Sequence, residues 1–115
     1  MSSDLFLEQQ EKSKLLDIAL SLLSTRGREA AQAEQNYRIA KSKVMIEKRT
    51  DGVPTTILGD LTKGDPEIAL LKFKLDCAEV SYKANLEALN VYKLQIKMLD
   101  EQISREWHRK WLNIL

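Results

Sequence analysis

Between the first and second halves of the chain lies Gly52-Val53-Pro54-Thr55-Thr56-Ile57-Leu58-Gly59-Asp60-Leu61-Thr62-Lys63-Gly64-Asp65-Pro66, which holds both prolines and three of the four glycines of the 115-residue sequence. Helix breakers this concentrated divide the chain into two long arms and one connector. On the near side, Lys48 and Arg49 suit the negative end of a helix, Gly52 suits a left-handed C′ position, and Pro54 stops continuation. On the far side, Asp65 is a good N-cap, Pro66 fits the first helical turn, and Glu67 faces the positive end of the dipole. The expected arms are residues 4–51 and 65–113, joined by 52–64 in a single helical domain.

Both arms carry a seven-residue apolar rhythm. In the second, Ile68, Leu75, Tyr82, Leu89, Ile96 and Ile103 recur without exception, and Leu71, Ala78, Tyr92 and Leu99 fill the companion column. Asn85 interrupts that column; an interior Asn can fix register, or it can sit at a wet edge. In the first arm, Leu16, Leu23, Ala30, Tyr37 and Val44 recur, with Ala19, Ala33 and Ala40 beside them. Ser3 is the expected N-cap there, with Asp4 and Glu8 near the positive end of the dipole. Gly27 is the weak point of that arm, since a helical Gly costs about 1 kcal/mol against Ala, and a kink or break near Ser24-Thr25-Arg26-Gly27 is expected to form there if anywhere. The fold class that follows is all-α: a long antiparallel, coiled-coil-like hairpin.

A third column on the second arm is also apolar: Leu70, Cys77, Ala84, Val91 and Met98. It widens the apolar arc beyond what one partner helix covers. Two rods side by side also enclose no core, and small domains are short of buried area. The expectation is a homo-oligomer, at least a dimer, forming a helical bundle with Leu70, Ala84, Val91 and Met98 at its interface.

Composition excludes several classes. With 18 Lys+Arg against 17 Asp+Glu, balanced in both arms, the chain has no basic tail for non-specific nucleic-acid binding. One Cys excludes an intrachain disulfide, and with one His it excludes a cysteine-rich zinc site. Cys77 reads as a buried small hydrophobe, and it lies 31 residues from His108 on one expected helix, about 46 Å at 1.5 Å per residue. Nothing sets the separation of Asp51, Asp60 and Asp65 around the connector. No catalytic residue, metal or cofactor is expected. Apolar runs fall short of the roughly 20 residues that span a bilayer, and Met1-Ser2-Ser3-Asp4 is no signal-peptide start.

Three local features remain. The connector is either a cap, folding Val53, Ile57, Leu58 and Leu61 back onto the hairpin end, or a binding loop in which Thr55, Thr56 and Lys63 are donors and the next helix N-terminus favours an anion. The stretch Arg38, Lys41, Lys43, Lys48 and Arg49 reads as solvated helix surface. In Arg105-Glu106-Trp107-His108-Arg109-Lys110-Trp111-Leu112, both tryptophans lie four apart among cations. Trp107, Arg109 and Trp111 form a packing anchor, a partner-binding hot spot, or a surface that stacks on a nucleotide base. In an antiparallel dimer the connector of one chain could approach this segment of the other and form a composite site.

The block from Arg49 to Trp107 resembles short helical proteins encoded in the early regions of bacteriophages and prophages. Gly52-Val53-Pro54-Thr55-Thr56, Gly59-Asp60-Leu61, Lys63-Gly64-Asp65 and Arg105-Glu106-Trp107 carry the resemblance. It implies a phage origin, a bacterial cytoplasm as the setting, and no enzymatic activity; it transfers no site residue. The expectation is an accessory factor that counters a host protein or nucleotide-like defence signal by stoichiometric binding. The rivals are a replication or recombination accessory protein that contacts DNA or its enzymes, and a purely structural coiled-coil module.

Overall fold

The computed structural model describes residues 2–114, and the side chains of residues 4–114. Its elements are α1 (Ser2–Thr50), α2 (Thr55–Lys63) and α3 (Pro66–Ile114), with no strand among the described residues. The chain is an all-α helical hairpin. Ser3 is already helical, so α1 begins before the expected N-cap; the Ser3 side chain lies outside those described.

The turn is built as its residues dictate. Gly52 takes φ +89°, Gly52 N–H donates to Arg49 O at 3.1 Å, and Val53 N–H donates to Lys48 O at 3.0 Å. That is a Schellman ending, in which the left-handed residue has no Cβ to clash. Asp65 Oδ1 accepts from the backbone N–H groups of Glu67 (3.1 Å) and Ile68 (3.4 Å), capping α3 as its sequence position requires.

The connector departs from expectation, because residues 55–63 form a helix of their own. Leu58 and Thr62, four apart, are buried, while Ile57 and Leu61 are exposed; only part of the expected apolar set turns inward. Thr62 is fully buried, and its hydroxyl donates back to Leu58 O at 2.7 Å.

Contacts fall into two compact units: one comprises Thr25–Lys83, the other the chain up to Ser24 together with that from Ala84 onward. In the first, α1 and α3 run antiparallel. Going up α1, Gly27 lies by Tyr82, Tyr37 by Lys72, and Lys48 Nζ is 3.9 Å from Asp65 Oδ2. Gly27 causes no break. A Cβ there would stand 3.4 Å from Tyr82 Cε2, so the bare backbone of Gly27 faces the edge of the Tyr82 ring with room for a methyl group. In the second unit the arms are again antiparallel. Asn85 Nδ2 donates to Ala19 O at 3.0 Å, and Gln9 Nε2 to Ile96 O at 3.4 Å. Asn85 thus bonds across the seam rather than sitting at a wet edge. Ala19, Leu89 and Leu99 are buried here, as Ile68 and Leu75 are in the first unit.

Candidate functional site

In the Thr25–Lys83 unit, Lys63 at the end of α2 reaches a shallow cleft of about 370 Å³, with Tyr37, Ile68, Lys72, Phe73 and Asp76 among its lining. The ammonium groups of Lys41 and Lys72 each lie 5.6 Å from the centre of the Tyr37 ring, within cation–π range. Lys72 Nζ also meets Asp76 Oδ1 at 3.1 Å. Hydrogen bonding to Asp76, and its charge, raise the Lys72 pKa above its ordinary value. Two lysines, a tyrosine ring and the exposed Phe73 side chain make the cleft suitable for an anion that carries a flat apolar group, with Asp76 opposing part of the positive charge.

Thr55 and Thr56, in the first turn of α2, are exposed and do not line this cleft. The anion site expected at the next helix N-terminus is corrected: Asp65 already fills it, and its carboxylate takes the amides of Glu67 and Ile68. The basic stretch of α1 is engaged locally. Arg38 pairs with Glu34 at 2.8 Å, Arg49 donates to Val53 O, Lys41 stands over Tyr37 and Lys48 faces Asp65. Among the described residues, no three His, Cys, Asp or Glu side chains converge as a metal site would require. No helix of the described residues is long and apolar enough to cross a membrane.

Trp107, Arg109 and Trp111 belong to the other unit, so the connector donors and the tryptophans are not brought into one unit. The cross-seam bonds of Asn85 and Gln9, carried forward, put Ile103 level with Ser2 and residues 104–114 beyond the first described residue of α1. Trp107 and Ile114 follow Leu89 and Ile96 by 18 residues each, or five turns, so they continue the face that α1 covers further along. Yet Trp107 is 67% and Trp111 56% exposed. Among the described residues neither side chain is buried. With Ser104 and His108 they line an open groove of about 490 Å³. Lys110 lines the adjoining surface with Trp107, Trp111 and Ile114, while Arg105, Glu106 and Arg109 are neighbours in sequence.

The third column of α3 is exposed along its length at Leu70, Cys77, Ala84, Val91 and Met98. Cys77 is therefore not buried within the chain, a correction that follows from its place nine residues, two and a half turns, from buried Ile68. The structure adds exposed Phe73, Val80 and Leu94 to this face. The sequence reading missed them, although their spacing of three and four residues from the column was the available signal.

Comparison with protein-family models, curated proteins and solved structures finds no match to this chain.

Proposed function

We propose that this chain is a non-enzymatic phage accessory protein that binds a host protein stoichiometrically and thereby counters host defence. The observation that carries this reading is the exposure of the last turns of α3. Trp107 and Ile114 lie on the packing face, more than half exposed, with no described residue of α1 opposite them. An exposed aromatic and apolar helix face of this kind is a docking surface for another helix. Trp and Arg are the residues that dominate such contacts. Lys110, which lines this surface with Trp107 and Trp111, favours an amphipathic helix with an acidic flank. The resemblance of residues 49–107 to phage early-region proteins supports the phage setting and, with it, the bacterial cytoplasm.

A second reading rests on the Tyr37 cleft, whose ring and two lysines suit a nucleotide-like signal. One experiment separates the two. Tagged wild type, Trp111→Ala and Lys63→Ala are passed over host lysate, bound proteins and small molecules are identified by mass spectrometry, and the captured species is purified and titrated. A protein lost with Trp111→Ala, retained with Lys63→Ala and bound at a fixed whole-number ratio supports the first reading. A small anion lost only with Lys63→Ala replaces it with the second. Identical capture by all three chains rejects both.

A further inference from the structure

The exposed side of α3 carries a second heptad seam. In the Thr25–Lys83 unit it comprises Leu70, Phe73, Cys77 and Val80; in the other unit it comprises Ala84, Val91, Leu94 and Met98. The spacing alternates three and four residues throughout, and Glu87 takes the one remaining position. In each unit this seam faces away from α1. Cys77 lies two and a half turns from buried Ile68, and Met98 two and a half turns from buried Leu89. Val80 at 66%, Phe73 at 65% and Met98 at 57% exposure are open to solvent. A two-residue heptad stripe is the pattern of a helix that packs on one other helix.

We infer that this seam is covered by the same seam of a second copy of this chain, running antiparallel, with Ala84 opposite Glu87 of the second copy. Charge selects both direction and register. A parallel pair in register would set Glu87 against Glu87 of the second copy inside the seam, where like charges are costly. The antiparallel pair sets it against a small alanine, with Lys83 of the second copy beside it. The layers then match Phe73 with Met98, Cys77 with Leu94 and Val80 with Val91, each from opposite copies, while Leu70 at the end of the seam comes level with Glu101 of the second copy. Along the flank, Asp76 meets Lys97 of the second copy, twice by symmetry. Sliding the pair by one heptad either way brings Lys83 against Lys83 or Lys97 of the second copy. At the ends, Arg105 comes level with Pro66 of the second copy, between Asp65 and Glu67. Trp107 stays uncovered on the opposite side of α3, so the dimer and the host-protein reading use different faces and stand or fall separately.

Cysteine cross-linking of the full chain tests this. With an added oxidant, Leu94→Cys joins to Cys77 of the second copy and runs as a covalent dimer. The wild type does not, because its two Cys77 side chains lie about 25 Å apart along the pair. Rapid wild-type cross-linking through Cys77 alone would mean a parallel pair and overturn the inference. Circular dichroism of Leu94→Cys, an exposed position, verifies that the helices are intact. Sedimentation gives a second reading. The wild type is a dimer at micromolar concentration, Lys97→Glu raises its dissociation constant at least tenfold, and Asp76→Lys with Lys97→Glu restores it. A helical monomer, or no recovery in the double variant, overturns the proposal. Neither arm uses host material, so failure here leaves the Trp107 reading untouched.

Discussion

At the scale of single residues, Gly27 faces the Tyr82 ring of the other arm. Gly27 leaves room for the Tyr82 ring, and a methyl group there would arrive at 3.4 Å, an ordinary contact distance. Gly27→Ala should therefore retain most of the helix-propensity gain and stabilise the protein by about 0.5–1 kcal/mol in urea denaturation. Gly27→Leu should lose about 1–3 kcal/mol, because its branched end has only the ring to displace. Thr62 is the opposite case, a polar side chain with no exposure. Its hydroxyl bonds a carbonyl that keeps its own helical N–H, so Thr62→Val orphans no partner. The same denaturation series should place Thr62→Val within about 0.5 kcal/mol of wild type.

At the scale of elements, the two arms were legible because each repeats an apolar position every seven residues and each ends on residues with one clear job. The Schellman glycine and the Asp65 cap sit where their chemistry places them. Removing the cap by Asp65→Ala should cost about 1 kcal/mol, measured as a lowered urea midpoint, and Asp65→Asn should recover most of it. The connector helix was not legible. Its nine residues include two β-branched threonines at the start and Gly59 in the middle, all poor helix formers. What makes it helical is the burial of Leu58 and Thr62 on one side, a tertiary effect that local propensity does not contain. The binding residues divide in the same way. Lys63 was chosen as a donor, but its neighbours Tyr37 and Lys72 come from two other helices, so no window of sequence shows the cleft. Trp107 and Trp111 were visible as a cluster, but the sequence did not show that both are more than half exposed.

At the scale of the molecule, that exposure carries a further prediction. Side chains already more than half exposed leave little to lose, so Trp111→Ala should change stability by less than about 1 kcal/mol. A buried aromatic would lose about 3–5 kcal/mol. Thermal denaturation with partner binding measured in parallel separates the two cases. The two units also differ in what it takes to assemble them. Lys48 and Asp65 lie 17 residues apart across the connector, whereas the Gln9 bond to Ile96 spans 87 residues of chain. Loop closure costs more as the intervening chain grows, and pairs that are distant in sequence form late. The hairpin should therefore zip from Asp65 outward, and amide hydrogen exchange should find the opening free energy greatest around Tyr37 and Leu75 and least around Gln9 and Ile96. On this view the end that bears the tryptophans is the last to close and the first to open, so a partner helix could enter there at the cost of a few frayed turns while the turn end remains folded.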